Sequence, residues 1–204
     1  METNPSLNRS LTTLLCAATA SLLILSQPAQ AGYIVTLNQV GSNIVATGSG
    51  TIDLTNLAPP GSGGKVSYMD PFHGSILTGP ATLTTINEYA GIFGPASFGT
   101  HSGTENADSG SGDLVGIIND QFLDVPSGYV SGNALSDSST WNSATFSSLG
   151  VTPGTYVWTW GTGVHADSFT LIASLPDPGS TLGLLLVALG GLFGVSRFKC
   201  VHLA

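Results

Sequence analysis

The chain has 204 residues, and only four of them, Arg9, Lys65, Arg197 and Lys199, are basic against twelve acids, for a formal charge of −8. So few cations exclude a nucleic-acid binder, because neutralising phosphates takes clustered lysine and arginine. With 42% hydrophobic residues, 8% charged residues and 27 glycines, the chain is too apolar for a disordered polyelectrolyte and too glycine-rich for a helical bundle.

Residues 1–31 open with a short polar start containing Arg9. An uncharged apolar run over 11–25 follows, then Ser26-Gln27-Pro28-Ala29-Gln30-Ala31 ahead of Gly32. This order is that of a secretory signal peptide, in which Ala29 and Ala31 supply the small side chains that signal peptidase accepts, so cleavage is expected after Ala31. The alternative, an uncleaved membrane helix, fits less well with a short run and a helix-breaking Pro28. A lipoprotein anchor on Cys16 would need a small residue where Leu15 stands.

Residues 32–175 read as one ectodomain, long enough for a hydrophobic core. Lys65 faces ten acids there, a net charge of −9, and a surface of one sign resists self-association and repels anionic polymers. Both cysteines, Cys16 and Cys200, lie outside it. The exported domain is therefore expected to hold together without disulfides.

Strand signals recur and no helical period appears. Tyr33, Val35 and Leu37 alternate with Ile34, Thr36 and Asn38; Gly41-Ser42 supplies a hairpin turn; Ile44 and Ala46 resume the pattern, with Ile52 and Leu54 continuing it after Gly48-Ser49-Gly50. Further strands are expected at 66–69, 81–86, 114–118, 129–130 and 143–146. Pro153-Gly154 predicts a type II turn. It leads into Tyr156, Trp158 and Trp160 on one strand face, then a loop through Gly161 and Gly163, then Phe169, Leu171 and Ala173. This second hairpin is expected to form the core. The fold class is all-β, a β-sandwich for which jelly-roll connectivity is one form, flanked by an N-terminal signal helix and a C-terminal transmembrane helix.

The usual catalytic signatures are absent: no Gly-x-Ser-x-Gly, P-loop, His-Glu-x-x-His or Cys-x-x-Cys occurs. A non-enzymatic protein without a cofactor is the expectation. His73, His101 and His165 are far apart in sequence, and only the fold could converge them on a metal. Asp70 and His73 with Ser75 would be the candidate catalytic set. Glu105, Asp108 and Asp113 bracket a glycine-rich loop with the composition of a calcium site, although Ala107 and Ser109 break the EF-hand register. Tyr156, Trp158 and Trp160 are open to two readings, a buried core row or a platform for stacking on sugar rings.

At the C-terminal end, residues 182–195 are strongly apolar and no charge interrupts 179–196. Eighteen residues at about 1.5 Å each reach roughly 27 Å, close to a bilayer's hydrocarbon thickness. Arg197 and Lys199 follow, and such a pair holds its end on the cytoplasmic side. The alternative, a buried core helix, would carry a polar stripe that this segment lacks. Segment 176–204 thus divides into Pro176-Asp177-Pro178, a membrane helix over 180–196 and a basic tail over 197–204.

A Pro-Asp-Pro motif, an apolar helix and a basic cluster in this order resemble the PEP-CTERM class of bacterial sorting signals, with Asp177 in place of the more usual glutamate. The stretch from Val125-Pro126-Ser127-Gly128-Tyr129 through Trp141 and Phe146 to Asp167-Ser168-Phe169 is similar to ectodomain segments of the same class. The resemblance implies export across the inner membrane and transient anchoring there. It also implies cleavage near Pro176, Asp177 and Pro178 by an exosortase, then residence at the cell surface or in an exopolysaccharide matrix of a Gram-negative-type bacterium. A secreted carbohydrate-binding module and a secreted hydrolase or metal enzyme are the alternatives within that delivery system.

Overall fold

The computed structural model describes residues 32–58 and 60–175. The signal segment with Ala29 and Ala31, and the sorting segment with Pro176, Asp177, Pro178, Arg197 and Lys199, lie outside the described residues. Among the described residues the chain forms the strands β1 (Tyr33–Val40), β2 (Asn43–Gly50), β3 (Gly61–Lys65), β4 (Tyr68–Asp70), β5 (Ser75–Thr78), β6 (Thr84–Ala90) and β7 (Glu105–Asn106). It continues with β8 (Ser109–Gly112), β9 (Val115–Ile118), β10 (Phe122–Pro126), β11 (Leu135–Trp141), β12 (Gly154–Trp160) and β13 (Asp167–Ser174). Two 3-10 turns, Pro71–His73 and Gly163–His165, are the helical pieces. The protein is all-β.

The strands make two sheets, one ordered β12-β13-β1-β2-β11-β8 and the other β3-β6-β10-β9-β5-β4-β7. One apolar cluster draws on both. Tyr33, Val35, Leu37, Trp158 and Phe169 reach it from the first sheet; Met69, Ile76, Val115, Ile117 and Leu123 reach it from the second. Burial on strict alternation, as along β13 where every second residue from Asp167 is buried, is what a sheet with one face on a core produces. The first and last strands pair parallel, Tyr33 opposite Phe169 through Asn38 opposite Ser174. All the other strand pairings are antiparallel. That central parallel pair departs from the all-antiparallel connectivity of a jelly roll.

The hairpin of β1 and β2 forms where the alternation placed it, closed by Gly41 at φ +62°, a conformation that glycine adopts without steric cost. The hairpin of β12 and β13 is also present and contributes Trp158, Trp160, Phe169, Leu171 and Ala173 to the core. The type II turn expected at Pro153-Gly154 is not formed. Gly154 is already extended as the first residue of β12, and the left-handed glycine of that connection is Gly150, at φ +62°. Residues 129–130 and 143–146 are not strands. The Tyr129 hydroxyl instead donates to the Asn133 carbonyl and accepts from the Ile52 N–H, and Ser143 turns the chain at φ +52° with its N–H on Asn43 Oδ1.

A polar bridge ties the two sheets. The Tyr33 hydroxyl on β1 donates to Asp137 Oδ2 on β11 at 2.5 Å, and Thr78 Oγ1 on β5, in the other sheet, donates to the same oxygen at 2.9 Å. Gly48 lies beside them on β2, and a Cβ there would sit 2.5–2.8 Å from the Tyr33 hydroxyl and the Asp137 carboxylate. Only glycine leaves room for the pair. Burial pushes the Asp137 carboxyl up to about 6, against the hydrogen bonds from Tyr33 and Thr78 that favour its charged form. Burial, then the neighbouring carboxylate, pushes the Tyr33 phenol up as well.

The outer face of the six-stranded sheet carries no charge. One row crosses all six strands through Thr155, Ile172, Thr36, Thr47, Ser138 and Ser111.

Candidate functional site

Turns at one end of the seven-stranded sheet border a cleft of about 720 Å3 lined by Phe72, His73, Ala96, Ser97, Asn119, Asp120 and Gln121. Asp70 ends β4 and caps the 3-10 turn, accepting from the His73 N–H at 3.3 Å. The same carboxylate meets His73 Nδ1 at 2.9 Å, so the imidazole is oriented from behind. Phe72 stands edge-on to that ring, centroids 5.0 Å apart, and is 52% exposed. An aromatic face left half in water beside a fixed histidine is an uncommon use of a large apolar side chain.

The opposite wall is the turn between β9 and β10. Asn119 and Asp120 hold φ values of +49° and +53°, a left-handed pair that Asn and Asp tolerate better than other non-glycine residues. The turn is pinned to β5, since the Asn119 N–H donates to Ser75 Oγ at 2.9 Å. This leaves the amide, carboxylate and amide side chains of Asn119, Asp120 and Gln121 along the cleft opposite the ring of Phe72. Amides, a carboxylate and an imidazole around an exposed aromatic ring are suited to a polyhydroxylated ligand, with hydrogen bonds at the hydroxyls and stacking on the C–H face.

For catalysis the geometry supplies less. Ser75 Oγ donates toward the His73 carbonyl and Asn119 Oδ1, and Ser97 Oγ is bonded to the backbone at Pro71 and Gly99. The Asp70 and His73 pair is thus real, while the hydroxyl of Ser75 serves the turn.

The remaining sequence candidates fall elsewhere. Each histidine takes its own carboxylate: His101 Nε2 lies 3.2 Å from Glu105 and His165 Nδ1 lies 2.8 Å from Asp53. The three do not converge, and among the described residues no group of three or more metal-ligating side chains forms. The calcium candidates are dispersed likewise. Glu105 and Asp108 border a polar cleft of about 340 Å3, but Asp108 accepts from the Asn142 N–H at 2.7 Å. Asp113 accepts from the Ser136 N–H at 2.9 Å, beyond that cleft.

The aromatic row resolves by burial. Trp158 is 0% exposed and Trp160 3%; Tyr156 packs at 5.9 Å on Phe98, and its hydroxyl donates to the Thr152 carbonyl. The indole faces are covered and cannot stack on a sugar, which corrects the platform reading of Tyr156, Trp158 and Trp160 at the two tryptophans, while Tyr156 is half-buried. Among the described residues two phenylalanines are exposed, Phe93 and Phe72, and Phe72 is the one that lines the cleft; its signal in the sequence was a lone Phe beside His73 after a proline, in a turn.

No known protein family, curated protein or solved structure matches the chain.

Proposed function

We propose that the protein is an exported surface or extracellular-matrix protein of structural or interaction type, anchored transiently in the inner membrane and released by exosortase cleavage. The observation that supports this is the fit of the fold between the two expected cuts. Among the described residues the first strand starts at Tyr33, just after Ala31, and the last ends at Ser174, just before Pro176, so every described strand lies between the two cuts. Signal peptidase, exosortase, the inner membrane and exopolysaccharide are the partners on this reading. Intact mass of the protein recovered from cell surface and medium tests it. The expected species begins at Gly32 and lacks the apolar segment, and substituting Pro176, Asp177 and Pro178 with alanine retains the chain in the membrane. Recovery of surface material with an uncut C-terminal segment would sink the proposal.

A carbohydrate-binding role within the same delivery system is favoured by the cleft at Phe72. The polymer would be neutral, because a domain of net charge −9 repels polyanions. Phe72→Ala is expected to weaken binding of a neutral polysaccharide about tenfold in calorimetric titration, the loss of one stacking contact. Its melting temperature should stay unchanged, because the ring is 52% exposed. Unaltered affinity would remove Phe72 from the reading.

A further inference from the structure

The face of the seven-stranded sheet turned away from the shared core carries a second apolar cluster, Leu77, Ile86, Leu114 and Ile118, with Tyr68 and Phe122 packed on it. Three charged residues from three neighbouring strands share that face: Lys65 on β3, Glu88 on β6 and Asp124 on β10, with Asp124 directly opposite Glu88. Asp124 is fully buried, and neither of its carboxylate oxygens has a hydrogen-bond partner. A buried carboxylate without hydrogen bonds is strongly disfavoured and calls for a specific reason. Lys65 Nζ lies 3.9 Å from Asp124 Oδ2 and 3.1 Å from Glu88 Oε2. Lys65 is the sole lysine or arginine between Arg9 and Arg197, and it stands over the one buried carboxylate, among the described residues, that lacks hydrogen bonds at both oxygens.

We propose that Lys65 and Asp124 are joined by an amide bond between Nζ and Cγ, formed by the folded chain itself with Glu88 carrying a proton. The bond made is N–C and the bond broken is C–O of the carboxyl group. Glu88 relays one ammonium proton to the Asp124 carboxylate, giving a neutral amine and a neutral acid; on attack one amine proton stays on the amide nitrogen and the other leaves with the acid's O–H as water. No oxidant, reductant or further reactant enters. Burial pushes the Asp124 carboxyl up to about 7 despite the opposing charge of Lys65, which keeps the protonated acid, the form an amine attacks, populated near neutrality. The nitrogen is held 3.9 Å from Asp124 Oδ2, and groups brought from there into reacting contact have effective concentrations of up to about 10⁵–10⁸ M.

The link would reach from an edge strand across β6 to β10. β3 has the sequence GSGGK, and Lys65 is its single large side chain, so the bond would fasten a strand with little side-chain packing. It would also close a long loop covalently in a domain that has no cysteine, restricting the unfolded chain as a disulfide does.

The test uses the full exported chain, denatured and digested with trypsin. Trypsin does not cut after a lysine whose Nζ is acylated, so the wild-type chain is expected to stay intact at Lys65 and to weigh one water less than its sequence. Lys65→Arg, Asp124→Ala and Glu88→Gln should each be cut at that position and carry full mass. Glu88→Gln alters a partly exposed side chain and keeps the test sound should Asp124→Ala fail to fold, which circular dichroism reports. Cleavage of the wild type after Lys65 overturns the proposal, even alongside a lost water, because that water would then have left another residue. A cross-link that persists in Glu88→Gln overturns the proton-carrying role. The readout lies within residues 32–175 and does not depend on either terminal cut.

Discussion

Trp158→Ala is expected to lower the stability of the domain by about 3–5 kcal/mol, the range for removing a buried aromatic from a packed core. That is a large share of the roughly 5–15 kcal/mol that holds a domain folded. Trp158 has no exposed surface and packs edge-on against Phe169 at 5.9 Å, so its removal opens a cavity between the strands of the second hairpin. Trp158→Phe should cost much less. It keeps ring contact and removes an indole N–H that has no hydrogen-bond partner, a group whose burial is itself unfavourable. Val157→Ala, on the neighbouring residue that points outward and is 41% exposed, should change stability by less than about 0.5 kcal/mol. Urea unfolding followed by circular dichroism measures all three. Equal losses for Trp158→Ala and Val157→Ala would show that the indole is not a core residue.

Asp137→Ala should cost about 2–4 kcal/mol, because it strands the buried Tyr33 hydroxyl and takes from Thr78, on the opposite sheet, the nearer of its two acceptors. For a domain of this size the melting temperature should fall by roughly 6–15 °C. The pH dependence has a definite sign. The Asp137 carboxyl is raised from 3.8 to about 6, so the folded state binds the proton more tightly than the unfolded state does. Its contribution is fully present below about pH 4 and is lost as pH rises through about 6, a change on the order of 3 kcal/mol. Thermal melts at pH 4.5 and 7.5 should therefore show the acid side favoured, and Asp137→Asn should reduce that difference by its own share, other buried carboxyls such as Asp167 being raised as well. An unchanged slope in Asp137→Asn would remove Asp137 as its source. Gly48→Ala gives an independent check, since its methyl would push into the same pair.

The parts of the fold legible in the sequence are those whose inward positions are apolar on a period of two: β1, β2, β9, β12 and β13. β11 escaped because its inward positions read Leu135, Asp137, Ser139 and Trp141, with two polar residues in the middle. Those two face inward because Thr78 and Gly79 across the interface bond them, partners that lie about sixty residues away in sequence. β3 and β8 are GSGGK and SGSG, segments with no strand preference of their own that are extended because β6 and β11 pair with them. β10 ends in Pro126, which argues locally against a strand interior. The candidate site divides in the same way. Asp70 and His73 are three residues apart and suggested each other. The Asn119-Asp120-Gln121 wall faces them through the pairing of β5 with β9, and Lys65, Glu88 and Asp124 meet through three separate strands. Local pattern carries information about periodicity and none about which distant segments become neighbours.

The parallel pairing of β1 with β13 dictates the order in which the domain can be completed. A chain that emerges amino end first, from a ribosome or through a channel, presents Tyr33 at once, yet the strand that flanks it closes at Ser174. Until then β12 has no neighbour to join it to the rest of its sheet, and Val35 and Leu37 lack the side chains of Phe169 and Leu171 beside them. The sheet of β1 is therefore completed late in the chain, with β13 as the keystone between β12 and the rest.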